Sequence, residues 1–292
     1  MAANHQTEKK EKKLLQATQN WPHLVYSEDC RSYTSLRIMR MFRRGEKVAR
    51  EIGKSHTTLT GEFPATKDGL FKAFESPLER DFLVILDFDW AVHSFHPQPV
   101  TIGYRDPDGQ ERRYTPDVLV TFRRDRPDFA KRKNLLAEIK TELDLKHNAE
   151  AYRVKFKAAE EYAAARNWEF KVLTEREIRT PYLKNANFLR QFRLHPSNPY
   201  LYNLLRDAAN AVEEGTPEEI LEDASELLRL DPDNYQYRDL APEEIRAALL
   251  PNLWRLLDDG FVGCDLTRPL TMETRLWVQE EPNGINWMSG TW

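Results

Sequence analysis

The sequence is poor in cysteine and has no long apolar run. Its two cysteines, Cys30 and Cys264, stand far apart in a chain of 292 residues, which suits a reducing compartment and excludes a cysteine-based zinc site. No stretch approaches the roughly 20 apolar residues that a membrane-spanning helix needs. The lysine-rich start has no apolar segment behind it, so we expect neither a signal peptide nor a membrane span. Internal repeats and low-complexity tracts are also absent from the sequence.

Basic residues are scarce in the last third of the chain. Residues 201–292 hold 7 Lys and Arg against 19 Asp and Glu, whereas the whole chain has a formal net charge of −4. The acidic excess predicts a surface that docks to protein and not to DNA. A basic stretch over residues 31–54 could contact phosphates, although a solvated helix face explains it equally well. The candidate DNA contacts in that stretch are Arg37, Arg40, Arg43, Arg44 and Lys47.

The order of predicted elements indicates a mixed α/β protein. A helix is predicted to begin at Ser76-Pro77, because serine is a good N-cap and proline suits the first helical position. A long amphipathic helix follows from about His147 to Arg166. Strands are predicted at Val92–Phe95, Val100–Tyr104, Tyr114–Phe122, Leu135–Lys140 and Glu169–Leu173.

Composition changes near residue 196, where we place a domain boundary. Before it we expect a polar arm over residues 1–30 and an α/β domain over residues 31–195. After it, three predicted helices precede a short hairpin, which is typical of a winged helix, so residues 196–292 are predicted to form a winged-helix-like, partner-binding domain. The three helices are Tyr200–Glu214, Pro217–Leu230 and Pro242–Asp258, the last of which Pro251 could break.

Two carboxylates and a lysine lie at the ends of two predicted strands. Asp117 precedes one strand, and Glu138-Ile139-Lys140 closes the next, with Glu138 and Lys140 on one face because side chains alternate along a strand. In a continuous strand, Tyr114 would face away from Asp117. Carboxylate oxygens suit hard cations such as Mg²⁺ and Mn²⁺. A nearby lysine can orient a water and offset charge on a phosphate, so the set is typical of metal-dependent phosphodiester hydrolysis.

The pattern by itself leaves alternatives open. In a chain with 31% charged residues, an acid two positions before a lysine recurs by chance. Glu169-Phe170-Lys171 is the serious rival, because it too lies in a strand-like run. An ion pair between ordinary surface charges on an edge strand would also explain the residues.

Glu79 has two interpretations. The spacing from Ser76 fits a capping box, in which the glutamate satisfies the helix start, and the local sequence favours this role. Glu79 also borders the apolar face of its helix, so it could point towards the sheet. There it would be a third carboxylate and would complete a two-metal site.

Several separate blocks, in order, resemble the TnsA endonuclease subunit of heteromeric transposases. They are ESPLERDFLVILDFD from Glu75, QP at Gln98, YTPDVLV from Tyr114, EIK at Glu138 and VLTEREIR from Val172. The likeness covers about residues 30–195. The last third fits the winged-helix domain of that family more loosely.

The resemblance implies a restriction-endonuclease-like fold with a PD-(D/E)xK site in the α/β domain. It assigns catalysis to Glu79, Asp117, Glu138 and Lys140. It also implies that Mg²⁺, or Mn²⁺ in its place, is bound by Glu79, Asp117, Glu138 and the carbonyl of Ile139. Some members carry Gln where this chain has Glu138, so the glutamate here is nearer the general nuclease pattern.

Such enzymes nick the 5′ ends of a transposon during cut-and-paste transposition. A TnsB-like DDE transposase cuts and joins the 3′ ends, and a TnsC-like AAA+ ATPase regulates the reaction. The resemblance therefore implies an endonuclease that acts on double-stranded DNA in the bacterial cytoplasm, without a membrane partner. Two alternatives stay open: a stand-alone restriction or repair nuclease, and a catalytically silent DNA-binding adaptor of the same fold.

Overall fold

A computed structural model describes residues 59–194, 198–231, 237 and 239–279, together with the main chain of Arg43 and Arg44. The predicted polar arm lies outside this part, as do the candidate DNA contacts Arg37, Arg40 and Lys47. Within the described part, no helix combines the length and the apolar character needed to cross a membrane.

Three short strands and a helix come first along the described chain. Strands β1 (Arg43–Arg44), β2 (Gly61–Ala65) and β3 (Leu70–Phe74) form a sheet in the order β1-β3-β2. Helix α1 (Pro77–Phe88) follows, and the Ser76 side chain accepts a hydrogen bond from the Glu79 amide at its start. The predicted helix start is confirmed, because an N-cap serine satisfies an amide that has no partner within the helix.

A four-stranded sheet, in the order β4-β7-β8-β9, forms the centre of the α/β part. Strand β7 is antiparallel to both neighbours, and β8 is parallel to β9. The long helix α3 makes the crossover between β8 and β9, and it begins earlier than predicted, with a kink at Asn148. Strands β5 and β6 form a separate hairpin. The elements are β4 (Val92–Pro97), β5 (Ile102–Arg105), β6 (Glu111–Tyr114), β7 (Val118–Phe122), α2 (Pro127–Ala130), β8 (Leu135–Ile139), α3 (Glu142–Ala164), β9 (Glu169–Leu173), α4 (Glu175–Ile178) and α5 (Pro181–Arg193).

The two faces of this sheet have different cores. One face packs with α1 and α5 in the main core, to which Phe95, Val120 and Ala137 contribute. The other face carries a smaller core in which Leu136 packs with Ala159 of α3. Helix α3 therefore covers the face on which the even-numbered residues of β8 lie.

The predicted strand Tyr114–Phe122 is in fact two strands, β6 and β7, separated by Thr115, Pro116 and Asp117. Proline has no N–H to donate to a strand ladder, which explains an interruption at Pro116. The predicted alternation was therefore wrong for Tyr114. Its side chain belongs to the smaller core beside α3 and not to the core that contains Val118.

The last third of the described chain is mostly helical. Helices α7 and α8 have the predicted bounds, and α8 continues through Pro251 without a break. The elements are α6 (Pro199–Val212), β10 (Glu214–Gly215), α7 (Pro217–Leu230), α8 (Pro242–Asp258), β11 (Val262–Gly263) and β12 (Leu276–Val278). The strands form a small sheet in the order β10-β12-β11.

Helix α8 joins this region to the α/β part. Arg193 at the end of α5 makes a bidentate ion pair with Asp258 of α8. Its Nε lies 2.9 Å from Oδ2 and its Nη2 lies 2.8 Å from Oδ1 of the aspartate. Asn185 donates to the carbonyls of Leu266 and Arg268, and it accepts a hydrogen bond from the Leu270 amide. These polar contacts, together with the main core to which both parts contribute, form the junction between the two parts. The domain boundary near residue 196 stays a prediction.

Candidate active site

The start of β7 lies beside the end of β8, because the two strands are antiparallel and Val118 pairs with Ala137. Asp117 thus comes next to Glu138-Ile139-Lys140. Its Oδ2 accepts a hydrogen bond from the Ile139 amide at 2.7 Å, and its own carbonyl accepts one from the Gln98 amide at 2.7 Å. One hydrogen bond to its carboxylate, from the end of β8, and one to its carbonyl, from the residue after β4, therefore fix the position of Asp117.

Three oxygen atoms converge on the ammonium of Lys140. Its Nζ lies 3.0 Å from Oε1 of Glu138 and 3.6 Å from Oδ2 of Asp117. It also donates to the carbonyl oxygen of Ile139 at 3.0 Å. The structure thus brings together three of the four predicted catalytic side chains and the predicted carbonyl ligand.

Burial and mutual charge perturb the protonation of this group. Burial and the neighbouring charge of Glu138 raise the pKa of Asp117 well above its usual range. Burial lowers the pKa of Lys140, but the charges of Asp117 and Glu138 outweigh it, so the net shift is upward. Lys140 therefore stays charged at neutral pH. Ionisation of Asp117 costs more free energy than ionisation of an exposed aspartate, and a further cation nearby would lower that cost.

Glu138 is almost completely enclosed, with 2% of the residue exposed. Its Oε2 accepts a hydrogen bond from the hydroxyl of Tyr114 at 2.6 Å. Its Oε1, besides contacting Lys140, lies 3.4 Å from Nζ of Lys155 on α3. Burial, followed by the charge of Glu138, raises the pKa of Tyr114, so the phenol remains a donor.

The sequence did not indicate Tyr114 or Lys155 as site residues. Alternation along one continuous strand had placed Tyr114 on the wrong face. Lys155 is 17 positions from Glu138 on another element, and no local spacing rule joins them. The only sequence signal was that a crossover helix after β8 must cover one face of the sheet.

Glu79 acts as the helix cap that its spacing suggested. Its Oε2 accepts a hydrogen bond from the Glu75 amide at 2.8 Å, and its Oε1 accepts one from the Ser76 hydroxyl at 3.0 Å. Burial raises its pKa, partly offset by these bonds and by the charge of Lys140. Since its charge in turn raises the pKa of Asp117, the cap lies within electrostatic reach of the site. Its role as catalytic acid or metal ligand stays a prediction.

The ligand chemistry at this place suits a hard cation. Among the described residues, no group of three or more His, Cys, Asp and Glu side chains is arranged to hold a metal ion. The ligands at hand are instead two carboxylates and the Ile139 carbonyl, all three of which already surround one cation, the Lys140 ammonium. Oxygen donors of this kind fit Mg²⁺ and Mn²⁺.

The rival motif on β9 does not join this group. Glu169 and Lys171 form an ion pair at 3.3 Å. Glu169 pairs with Leu135 at the start of β8, whereas the candidate site lies at the end of that strand. The rival is therefore an ordinary strand ion pair.

Gln98 is a strained, enclosed residue next to Asp117. It has a φ of 46° and 7% exposure, and a positive φ is uncommon for a residue with a side chain. Within the described part of the chain its Oε1 is buried without a hydrogen-bond partner. Strained residues of this kind are often found at functional sites.

One family model matches the central part of the chain. Residues 89–175 match the family model described as TnsA-like endonuclease N terminal. The matched span contains Asp117, Glu138 and Lys140, and Glu79 precedes it. Among curated proteins no match to the chain is found. The resemblance seen in the sequence is thus confirmed over residues 89–175, which are similar to the N-terminal domain of the TnsA-like endonucleases.

Proposed function

We propose that the protein is a metal-dependent DNA endonuclease that nicks the 5′ ends of a transposon during cut-and-paste transposition. The observation that carries the proposal is the convergence of Asp117, Glu138 and the Ile139 carbonyl on Lys140. This group lies inside the segment that matches the TnsA-like endonuclease domain.

The topology supports a restriction-endonuclease-like PD-(D/E)xK core. The acids lie at adjoining ends of two antiparallel strands, and the second strand continues through a helix to a parallel neighbour. The C-terminal order of helix, strand, two helices and two strands supports a winged-helix-like domain, since β12 lies between β10 and β11.

Asp117, Glu138 and the Ile139 carbonyl would hold Mg²⁺, with Mn²⁺ as a substitute and Glu79 as the nearby third carboxylate. When bound, such an ion polarises the phosphodiester and acidifies a water molecule. Lys140, released from its three oxygen partners, would donate hydrogen bonds to the attacking water or to a phosphate oxygen. In-line attack by water would then leave a 3′-hydroxyl and a 5′-phosphate.

The partners we propose are double-stranded transposon ends, a TnsB-like DDE transposase and a TnsC-like AAA+ ATPase, in the bacterial cytoplasm. The acidic charge of residues 201–292 supports protein docking by the C-terminal region. The basic stretch over residues 31–54 remains the predicted DNA contact.

The test is a nicking assay on transposon-end DNA with Mg²⁺ and the partner transposase. Asp117→Ala should lower the nicking rate by about 100-fold or more, the usual scale for losing a preorganised electrostatic group. Asp125→Ala, at an acid that is 56% exposed, is the matched control and should nick like wild type. Wild-type nicking by the Asp117 variant would refute the proposal.

Two further measurements separate the alternatives. Efficient cutting by the subunit without partner proteins would indicate a stand-alone nuclease. Absence of Mn²⁺ binding by calorimetry, even with DNA present, would indicate a catalytically silent adaptor.

A further inference from the structure

A cavity of about 200 Å³ lies at the junction between the α/β part and the last third of the chain. Phe88 of α1 and Tyr182 of α5 line it from the α/β part, and their rings meet edge to face with centres 5.8 Å apart. Leu257 of α8, Cys264 and Trp277 of β12 line it from the other part. An apolar cavity of roughly 150 Å³ accepts a benzene ring, so this one has room for the two rings of an indole.

The end of β12 forms the rim of the cavity. A Cβ at Gly263 of β11 would come within 2.4 Å of Nε2 of Gln279 and 2.9 Å of Nε1 of Trp277, so the glycine leaves room for both side chains. Nε2 of Gln279 donates to the Gly260 carbonyl over a long distance of 3.5 Å, and a carbonyl oxygen can accept a second hydrogen bond. Trp277 is 39% exposed. The rim therefore presents an aromatic surface and an acceptor.

The chain continues from this rim into a segment with large apolar side chains. Gln279 ends the described part of the chain, and residues 280–292 read EEPNGINWMSGTW. The sequence Glu281-Pro282-Asn283-Gly284 favours a turn, because proline suits its second position and Asn-Gly the next two. In the register of a two-residue hairpin, a reversal there returns Trp287 to the level of Val278.

The returning residues cannot pair with β12 as a further strand. Strand β12 already pairs with β10 on one side and with β11 on the other. The segment must therefore cross a face of this small sheet. Leu276 packs in the main core, and side chains alternate along a strand, so the face of Trp277 is the one that can receive it.

We propose that the cavity is the binding site of the Trp287 side chain, and that residues 280–292 thereby fasten the last third of the chain to the α/β part. The aromatic walls suit an indole, which gains from edge-to-face contacts. A buried indole N–H needs an acceptor, and the Gly260 carbonyl at the rim would supply it. The inference is independent of the proposed function, because no residue of the candidate active site takes part.

The test is the reactivity of the Cys264 thiol, which lines the cavity. Burial raises the pKa of this thiol to about 12, and reactivity of a cysteine depends on its exposure and its pKa. In full-length protein with Cys30→Ser, Cys264 is the one remaining cysteine, and it should react slowly with dithiobis(nitrobenzoate). Adding Trp287→Ala should speed the reaction by roughly 30-fold, the weakening expected when a buried indole anchor is truncated.

Two further variants serve as controls in the same background. Trp292→Ala makes the same truncation five residues further along and should react like the parent protein. Trp287→Phe keeps one aromatic ring in the cavity and should react at an intermediate rate. Circular dichroism shows whether each variant is folded, and if Trp287→Ala is not, Trp287→Phe provides the comparison with the parent.

Added indole gives a second readout. It should slow the Cys264 reaction of Trp287→Ala, because it fills the site that the substitution opens, and it should leave the parent unchanged. Equal rates for the parent and the folded Trp287 variants would overturn the inference. So would acceleration by Trp292→Ala alone, which would assign the cavity to a different side chain. Either result would leave the proposed nuclease function intact.

Discussion

The hydroxyl of Tyr114 donates a hydrogen bond of 2.6 Å to Oε2 of Glu138. Tyr114 ends β6, and Glu138 lies one residue before the end of β8, so the contact joins the hairpin to the central sheet. Because Glu138 is 2% exposed, water cannot replace the phenol. The bond therefore fixes the orientation of a carboxylate that the candidate site needs.

Tyr114→Phe should lower the free energy of unfolding by about 1–3 kcal/mol, the cost of leaving a buried acceptor without its donor. Urea denaturation of the metal-free protein measures the change. Tyr104→Phe on β5 is the control and should cost much less. Equal stability of the Tyr114 variant and wild type would mean that the bond is not formed in solution.

Glu79 combines a cap with a predicted catalytic role, and two substitutions separate them. Ser76→Ala should cost about 0.5–2 kcal/mol of stability, the usual value of an N-cap, with little loss of nicking. Glu79→Gln keeps an acceptor for the Glu75 amide, so this variant should lose less stability than Ser76→Ala loses. Its nicking rate, however, should fall steeply. Normal nicking by Glu79→Gln would leave Glu79 as a cap alone.

The raised pKa of Asp117 predicts that its ionisation at neutral pH lowers the stability of the metal-free protein. A carboxyl group whose folded pKa is above its unfolded value stabilises the protein at low pH, and this contribution is lost as pH rises through the folded pKa. Asp117→Asn avoids the loss and can still accept from the Ile139 amide. With chelator present, it should therefore be more stable than wild type at pH 7, by about 1.4 kcal/mol for each tenfold rise in proton affinity. The advantage should vanish near pH 3. Lower stability of the variant than of wild type at both pH values would contradict a raised pKa of Asp117.

Lys67 lies in the turn between β2 and β3. Its lowered pKa predicts a rise of stability with pH, opposite in sign to the effect of Asp117. Burial lowers its pKa to about 8 from an ordinary value of 10.5, although its Nζ donates to the Asp89 carbonyl at 2.7 Å. Between pH 8 and 10.5 the unfolded chain binds the proton more tightly, so stability rises with pH. As pH rises from 8 to 10.5, the unfolding free energy of wild type should therefore increase relative to that of Lys67→Met. Parallel pH curves for the two proteins would exclude a lowered pKa.

The ion pair of Arg193 and Asp258 predicts a strong coupling between the α/β part and α8. The Asp258 side chain is fully buried and that of Arg193 is 18% exposed, so removing the arginine leaves an unpaired buried charge. Arg193→Met should cost about 3–5 kcal/mol in urea denaturation. Arg268→Met, at an ion pair whose arginine is 84% exposed, should cost less than about 1 kcal/mol. Similar small losses in both variants would show that the junction is not maintained in solution.

The sequence by itself determined the features that depend on neighbours along the chain. Ser76-Pro77 fixed the start of α1, because capping is a local interaction. The bounds of α7 and α8 followed from their periodicity and from the prolines at their first turns. Residue types and order also indicated Asp117, Glu138 and Lys140, since metal-dependent hydrolysis needs oxygen ligands and a cation.

Only the tertiary structure decided which of these residues meet and what surrounds them. The antiparallel pairing of β7 with β8 brings Asp117 to Ile139 and separates the rival pair at Glu169. The interruption at Pro116 turns Tyr114 to the face of Glu138, and the crossover helix α3 brings Lys155 to the same carboxylate. Strand register and helix packing join residues that are distant along the chain, so no local pattern could have revealed the enclosure of Glu138.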